Sequence, residues 1–219
     1  MVEIKILVVE DDAFTRTTLC NALRLHRLTV VGEAPSPSIA MGMVNKLSPD
    51  VVLIDLDLGK GPTGIDLAHA IRSAKPNTGI VFLTSYDDPR FHRPNLPALP
   101  PGSEYLVKRS VSDIEQITKA IIRAVNAGDI LQKKPRIRSS SIGVAFSELS
   151  DIQVETIRLV SLGMTNAEIA KTRFITEKSV EQTINRVAKI LNLAKDSSQN
   201  QRVHIARTFF RMSDSHPTE

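Results

Sequence analysis

The first half of the chain alternates short apolar runs with segments in which apolar residues recur every three or four positions. Short β-branched runs are typical of buried parallel strands, and the longer spacing is typical of amphipathic helices. The pattern predicts five strands, at 4–9, 29–33, 50–55, 79–83 and 104–107, and four helices, at 13–26, 36–47, 65–73 and 111–127. Such alternation predicts an α/β fold with a five-stranded, flavodoxin-like parallel sheet.

One crossover breaks this alternation. Between the fourth and fifth predicted strands lies a stretch, 86–103, that is rich in proline: Pro89, Pro94, Pro97, Pro100 and Pro101. Proline removes a backbone donor and clashes with the preceding turn of a helix. We therefore expect an irregular loop or a single short turn here instead of a helix.

The pattern of the second half is helical throughout. Ser150–Gln153 and Thr165–Glu168 have the form of capping boxes, Gly163 suits a helix end between them, and Thr176 suits a third N-cap. Apolar residues then recur at helical spacing, and a final helix is expected around 199–210. A short helix, a turn and a longer helix with a polar outer face predict a helix-turn-helix, although a plain all-α bundle fits this pattern equally well.

A basic, serine-rich stretch at 133–141 is typical of a linker, either merely solvated or able to contact phosphates. The predicted domains are therefore 1–128, a linker at 129–146, a second domain at 147–212 and a tail at 213–219. Residues 1–128 carry 14 basic and 14 acidic side chains, whereas 129–219 carry 14 basic and 10 acidic. The excess of positive charge assigns any nucleic-acid contact to the second domain.

Composition narrows the class of protein. No apolar run is long enough to span a membrane, and the N-terminus lacks a basic-then-apolar signal, so no membrane association is expected. A single cysteine, Cys20, cannot form an internal disulfide, which favours a reducing, cytoplasmic location.

Carboxylates follow two of the predicted strands. Glu10 and Asp11 end the first, and Asp55 and Asp57 end the third. Parallel strands deliver such residues to one edge of the sheet, where like charges repel unless a cation joins them. Oxygen ligands favour Mg²⁺, beside which an aspartate can act as a nucleophile toward phosphorus.

Two further strand ends supply groups that fit the same chemistry. Thr84 follows the fourth strand and offers a hydroxyl, and Lys108 follows the fifth and offers an ammonium. Each has an ordinary explanation, as a loop cap or a solvated lysine, and Asp12 suits a helix N-cap. Four suitable residues after four successive strands nevertheless favour a functional pocket.

The chain resembles the receiver domain of bacterial two-component response regulators over 1–128, and the LuxR/NarL-type helix-turn-helix output domain over 147–210. The resemblance is carried by the motifs 6–11, 49–55, 83–85, 105–108, 163–170 and 176–180. It implies a transcription regulator and not an enzyme, phosphorylated by a cognate histidine kinase and binding DNA, as a homodimer when active.

The resemblance also implies roles for individual residues. Asp55 would be the phosphoacceptor, with Glu10, Asp11, Asp55 itself and the backbone carbonyl of Asp57 as Mg²⁺ ligands. Thr84 and Lys108 would contact the phosphoryl group, and Tyr105 would be the aromatic that reorients on activation. The candidate DNA-contacting residues are Thr165, Asn166, Lys171, Lys178, Glu181, Gln182, Asn185, Arg186 and Lys189.

Some positions depart from the family pattern. Gly59 stands where relatives usually have proline, the glycine that follows is delayed by one position to Gly64, and the proline-rich stretch replaces the fourth helix. These departures leave open a regulator that is controlled by a ligand or by oligomerisation and not by phosphorylation. Asp55-Leu56-Asp57 also matches the D-x-D core of aspartyl-nucleophile phosphatases, but in those enzymes the motif follows the first strand.

Overall fold

The computed structural model describes residues 3–91, 96–126, 136–138, 148–193 and 200–213. The chain divides into two compact units. The first contains Met1–Thr84 and Pro97–Arg138, and the second contains Ser85–Leu96 and Ser139–Glu219. The second unit therefore includes a segment that lies inside the predicted first domain, while the predicted domain bounds themselves stay a prediction.

The first unit is a parallel sheet with helices on both faces. Its strands are β1 (Lys5–Val9), β2 (Thr29–Ala34), β3 (Val51–Ile54), β4 (Gly79–Thr84), β5 (Glu104–Val107) and β6 (Arg136–Arg138). The described helices are α1 (Ala13–Leu25), α2 (Pro37–Leu47), α3 (Gly64–Ala74) and α4 (Ile114–Val125). The strand order is β2-β1-β3-β4-β5-β6, and every pair is parallel.

The predicted α/β fold and its five strands are confirmed, and each strand lies within one residue of its expected bounds. The sixth strand was not predicted, because its three residues, 136–138, fall in the predicted linker. The other residues of that linker lie outside the described residues. The last helix of this unit begins at Ile114 and not near Val111, since Asp113 caps it by accepting a hydrogen bond from the Gln116 amide.

Two layers of apolar side chains hold the sheet between its helices. On one face, Ile6, Leu53 and Val81 share a buried cluster with Leu23 of α1 and Ile121 of α4. On the other face, α2 lies so close to the sheet that a Cβ on Gly32 would meet Leu7, Met43 and Leu47 at 3.0–3.1 Å. Strands β3, β4 and β5 are buried along their whole length, as their continuous apolar runs indicate.

The proline-rich stretch contains no helix among its described residues. A single 3₁₀ turn, Pro89–Phe91, is its only regular element there, in agreement with the prediction. The part that returns to the first unit packs on α3, where Arg72 donates to the carbonyls of Pro76 and Pro101 at 2.8 and 3.2 Å. A side chain of α3 thus donates a hydrogen bond to a carbonyl of the proline-rich stretch.

The second unit is helical where described. Its helices are α5 (Asp151–Ser161), α6 (Asn166–Thr172), α7 (Glu177–Ile190) and α8 (Gln201–Ser213). Both predicted capping boxes are present, and the Thr176 hydroxyl accepts from the Ser179 amide as an N-cap. Gly163 follows α5 with φ +80°, a left-handed conformation that favours glycine.

The last helix is longer than predicted. It continues through Ser213, and both Met212 and Ser213 are buried. Ser213, which was expected to begin the tail, is thus the last residue of α8, and Met212 belongs to the apolar cluster of this unit. Among the described residues, no helix is long and apolar enough to cross a membrane.

One ion pair of the first unit offers a test of the fold. The Arg123 guanidinium donates to the Glu104 carboxylate at 2.8 and 3.0 Å, and the Glu104 side chain is only 6% exposed. We expect Arg123→Ala to lower the free energy of unfolding by about 2 kcal/mol, because it leaves a buried carboxylate without this partner. Lys119→Ala, which removes an exposed pair with Glu115, should cost less than about 0.5 kcal/mol. Urea denaturation measures both changes, and equal losses would contradict the expectation.

Candidate functional site

The carboxyl ends of β1 and β3 bring three acidic side chains together. Glu10, Asp11 and Asp55 each offer a carboxylate oxygen, and these oxygens lie within 4.8 Å of one another. The strands are in register from Ile6–Val51 to Val9–Ile54, and the Asp55 amide donates to the Val9 carbonyl at 2.9 Å. The predicted acidic pocket thus follows directly from the pairing of two neighbouring strands.

Lys108 lies immediately after β5 and joins this pocket. Its Nζ donates to Glu10 Oε2 at 2.8 Å and to Asp55 Oδ2 at 3.0 Å. The other oxygen of Asp55, Oδ1, accepts from the Leu56 amide at 2.6 Å. The carboxylate of Asp55 is therefore fixed at both oxygens, with its side chain 11% exposed.

The crowding of charges changes the acidity of the pocket. Burial, helped by the negative charge of Asp55, raises the pKa of Glu10 to about 7, although Lys108 acts in the opposite direction. Burial disfavours the charged form of Lys108, but the carboxylates of Asp55 and Glu10 outweigh it and raise the pKa of the ammonium. Lys108 therefore stays protonated, while Glu10 holds or loses a proton near neutral pH.

Asp12 and Asp57 lie beside the pocket with different roles. Asp12 caps α1 by accepting from the Thr15 amide at 2.7 Å, the ordinary role that its position suggested. The Asp57 carboxylate accepts from the Gly59 amide at 3.1 Å and is not one of the three clustered acids. Its predicted contribution to a metal, through the backbone carbonyl, stays a prediction.

The backbone of the loop after Asp57 explains why glycine and not proline stands at position 59. Gly59 has φ +77° and Gly61 has φ +124°, both in the region that favours glycine. Proline is restricted to φ near −65°, so it cannot occupy the position of Gly59 in this conformation. The glycine at position 59 therefore suits the backbone conformation of this loop, which leads to the start of α3.

Gly64 makes the closest backbone approach in the site. A Cβ at this position would lie 2.1 Å from the carbonyl oxygen of Asp55. The Gly64 amide donates to the Leu56 carbonyl at 2.9 Å, and the adjacent Thr63 caps α3 in a capping box with Asp66. The first turn of α3 thus packs directly on the backbone of the predicted phosphoacceptor. Only glycine permits so close an approach, because any other residue would place a Cβ there.

Thr84 and Tyr105 extend the site along the sheet edge. Thr84 is the last residue of β4, fully buried, and is paired with Val107, the residue before Lys108. Tyr105 is fully buried, and its ring centroid lies 6.1 Å from that of Phe82. Thr84 thus lies in the row of strand ends that holds the pocket, whereas the predicted movement of Tyr105 stays a prediction.

Arg16 was not predicted as part of the site. Its Nη1 donates to the carbonyls of Glu10 and Asp11 at 2.6 and 3.2 Å and so fixes the backbone that carries both acids. The position of an arginine one turn into the helix that follows two acids is a signal that sequence reasoning could have used.

A divalent cation fits this arrangement chemically. Three carboxylates converge, and one of them, Glu10, is buried beside Asp55 at a cost in free energy that a cation would offset. Glu10, Asp11 and Asp55 are the residues that would hold Mg²⁺.

A second candidate surface lies on the helical unit. Among the exposed side chains of α7 are Lys178, Glu181, Gln182, Arg186 and Lys189, with Asn185 half-buried between them. At about 100° per residue these six fall on one side of the helix, opposite the buried Val180, Ile184 and Val187. The helix therefore presents a continuous polar face of the kind that the sequence predicts for base contacts.

The remaining predicted DNA contacts lie on or before α6. Thr165 and Lys171 are exposed. Asn166 is held by Arg202 of α8, whose guanidinium also donates to the Met164 carbonyl. Arg202, which sequence reasoning missed, therefore ties the start of α6 to the last helix, and the amide oxygen of Asn166 is engaged within the protein.

Comparison with known proteins identifies the family. The response regulator receiver domain family matches residues 6–122, which is more than half of the chain. The chain belongs to the response regulators. Its combination of a receiver domain with a C-terminal helical domain is that of the NarL/LuxR type, as the sequence predicted.

Response regulators of similar length are among its relatives. The transcriptional regulatory protein YxjL of Bacillus subtilis is 27% identical over 206 residues, covering 90% of this chain and 93% of the relative. The DNA-binding transcriptional activator DevR/DosR of Mycobacterium tuberculosis is 29% identical over 201 residues, covering 88% and 90%. The chain thus matches transcription regulators over nearly their whole length.

Solved structures agree on the fold. A structure of two RcsB dimers bound to two parallel DNAs has a TM-score of 0.60 at 19% identity, covering 94% of this chain and 98% of that one. RcsB from Salmonella enterica serovar Typhimurium, bound to the rprA promoter with a phosphomimetic, has a TM-score of 0.51 at 20% identity, with the same coverage. At this identity the likeness concerns the fold alone.

The contact between Gly64 and Asp55 can be tested by substitution. We expect Gly64→Ala to lower the free energy of unfolding by about 2 kcal/mol, because the new methyl group would overlap backbone that cannot move independently. Mg²⁺ affinity should fall with it. Gly42→Ala is the matched control: nothing lies within 4 Å of its Cβ position in α2, so the change should stabilise by up to about 1 kcal/mol. Equal behaviour of the two variants would refute the close approach.

The raised pKa of Glu10 predicts that Mg²⁺ affinity depends on pH. A proton on this carboxylate competes with a cation, so Mg²⁺ affinity should rise with pH, by up to about tenfold per pH unit below the pKa. Above a pH of about 7 the dependence should level off, since Glu10 is then ionised. Calorimetric titration in two buffers of different ionisation enthalpy counts the protons released. Glu10→Gln should bind more weakly and lose most of the dependence; an unchanged slope would exclude Glu10 as its source.

Proposed function

We propose that this protein is a DNA-binding transcription regulator switched by Mg²⁺-dependent phosphorylation of Asp55 by a histidine kinase. The observation that carries the proposal is the convergence of Asp55, two further acids and Lys108 at one sheet edge, with Lys108 Nζ 3.0 Å from Asp55 Oδ2. The proposed domains are those predicted from the sequence, and the proposed location is the cytoplasm.

The phosphoryl transfer assigns one task to each side chain. A carboxylate oxygen of Asp55 forms a bond to phosphorus while the bond from phosphorus to the kinase's histidine nitrogen breaks, and the electron pair of that bond stays on the imidazole. The product is an acyl phosphate on Asp55. The Leu56 amide holds Asp55 Oδ1, so Oδ2, the oxygen beside Lys108, is the proposed nucleophile.

Lys108 and Thr84 are proposed to stabilise the phosphoryl group. The ammonium already neutralises part of the charge on Asp55 and would shift its hydrogen bonds to a phosphoryl oxygen as charge develops there. Mg²⁺, when bound, would neutralise the clustered acids and the phosphoryl oxygens. The Thr84 hydroxyl would supply a donor from the end of β4, with Tyr105 reorienting in the neighbouring strand.

The helical unit is the proposed DNA-binding part. α7 would enter the major groove, where Gln182 and Asn185 suit adenine and Glu181 suits cytosine. Arg186 and Lys189 add positive charge along the same face of the helix. Thr165, Lys171 and Lys178 would contact phosphates, which position the protein without specifying sequence. Because the Asn166 side-chain oxygen already accepts from Arg202, a contact of Asn166 with DNA would use its side-chain NH₂ group.

A homodimer is the proposed DNA-binding form, in which the last helix, predicted at 199–210, would supply the contact between subunits. A regulator independent of phosphorylation is the second candidate, favoured by the altered Gly59–Gly64 loop and by the missing fourth helix. A phosphatase is the least supported candidate. Its motif follows the third strand here, and the Asp57 carboxylate accepts from the Gly59 amide instead of joining the cluster.

One experiment tests the proposal against its rivals. Incubation with acetyl phosphate and Mg²⁺ should add a single phosphoryl group, detected by intact mass, to wild type and to Asp57→Asn but not to Asp55→Asn. Affinity for a DNA duplex enriched from random sequence should change by about fivefold or more in the labelled proteins only. Absence of labelling with DNA binding intact favours the phosphorylation-independent regulator, whereas steady turnover of a phosphomonoester favours the phosphatase.

A further inference from the structure

The chain changes unit immediately after the predicted phosphoryl-sensing threonine. Thr84 ends the first of the two stretches that form the first unit, and Ser85 is the first residue of the second unit. The segment Ser85–Phe91, called the crossover segment below, therefore lies in sequence inside the receiver domain but packs with the helices. It occupies the stretch in which the family pattern places the fourth helix.

Apolar contacts make the crossover segment part of the helical core. Phe91 is 4% exposed and shares a buried cluster with Leu149, Phe209 and Met212. Its ring meets that of Phe209 edge-on, with centroids 5.3 Å apart. Tyr86 packs against the same cluster. A side chain from the receiver sequence thus fills space between the start of α5 and the end of α8.

Arg90 fastens the crossover segment to the start of α5. Its Nη1 donates to the Leu149 carbonyl at 2.7 Å and to Asp151 Oδ1 at 3.0 Å. Its Nε and Nη2 donate to the Asp88 carboxylate at 2.6–3.1 Å, which orients the guanidinium within the segment itself. A planar fork held in this way makes directed contacts that a lysine could not reproduce.

A backbone hydrogen bond fastens the same segment to the end of α8. The Asp87 amide donates to the Met212 carbonyl at 3.1 Å. Carbonyls in the last turn of a helix have no partner within the helix, so the segment supplies a group that α8 requires. The crossover segment therefore contacts the first and last helices of the unit in three ways: by apolar packing, by the Arg90 guanidinium and by a backbone hydrogen bond.

We propose that the crossover segment relays the state of the phosphorylation pocket to the output helices α5 and α8 without detaching from them. The inference rests on the proposed function of Asp55 and Thr84. Thr84 is fully buried, and only Ser85 and Tyr86 separate it from the anchored Asp87. A shift of Thr84 on phosphorylation can be absorbed over no more than these two residues before it moves the end of α8.

This relay replaces a surface contact by a shared covalent segment. The output helices then respond because a piece of their own core is displaced. Phe91 and Arg90 act as positioning residues in this scheme, since neither contacts the clustered acids among the hydrogen bonds and clusters described above.

Hydrogen–deuterium exchange of the full-length protein tests the relay. With acetyl phosphate and Mg²⁺, exchange rates of the α8 amides should change by about fivefold or more in wild type. Phe91→Ala and Arg90→Ala should reduce that change to less than about twofold while labelling of Asp55 proceeds as in wild type. Leu162→Ala removes an exposed apolar side chain from the same unit and should leave the change intact.

Two further variants at Phe91 report on the crossover segment directly and keep the test informative if Phe91→Ala does not fold. The chain contains no tryptophan, so Phe91→Trp introduces beside Phe209 a single tryptophan whose emission can be excited selectively. Its emission should shift when Asp55 is labelled and stay constant in the double variant with Asp55→Asn. Phe91→Leu, which keeps an apolar side chain, should retain the α8 response if Phe91→Ala fails to fold.

The outcomes separate this inference from the proposed function. Labelling of Asp55 with no change at α8, or with the same change in wild type and Phe91→Ala, overturns the relay and leaves the phosphorylation proposal standing. Absence of labelling in wild type overturns both. Labelling with an α8 response and a fluorescence shift that depend on Phe91 and Asp55 supports the relay.

Discussion

The balance of charge between Lys108 and the acids Glu10 and Asp55 is the constraint on which the site depends. An ammonium and two carboxylates share a largely buried space, and the three are brought there by the ends of three different strands. Removing any one of them would leave the others desolvated and poorly matched. The register of the sheet, the capping of α1 and the tight start of α3 all serve to keep these groups in place.

The same charges suit the site to two ligands of opposite charge, a cation and a phosphoryl group. A cation can take the carboxylates, and a phosphoryl group can take the ammonium, so each would offset the disruption caused by the other. A raised pKa at Glu10 expresses the strain of this arrangement before either arrives. Under the proposed function, we expect the pocket to be more stable with both partners than with one.

Much of the sheet and the pocket could be predicted because the relevant signals are local. Continuous apolar runs define the strands, and acids placed directly after them must meet at one edge, which is why Glu10, Asp11 and Asp55 were predicted correctly as neighbours. The capping boxes of α5 and α6 are equally local. Gly64 was recognisable only as a displaced glycine, since its reason, the Asp55 carbonyl, is a three-dimensional contact.

Other features escaped because their causes are distant in sequence or weak in pattern. Arg90 and the carbonyl that it contacts are 59 residues apart, and nothing in the proline-rich stretch indicates that Phe91 faces Phe209. The strand at 136–138 is three residues long and lies beside charged neighbours, too short for a periodicity to emerge. The absence of a helix was predicted from the prolines of this stretch, but the packing of Phe91 in the core of the helical unit was not.

The division of the chain into interleaved units has a consequence for how such regulators are recombined. Exchanging output domains by cutting at the linker, the usual way to build chimaeras, would here leave Phe91 and Arg90 behind with the donor receiver. The transplanted helices would lack a core side chain and a partner for the Met212 carbonyl. A functional graft would have to carry residues 85–91 as well, because this segment belongs to the core of the helices that are transplanted.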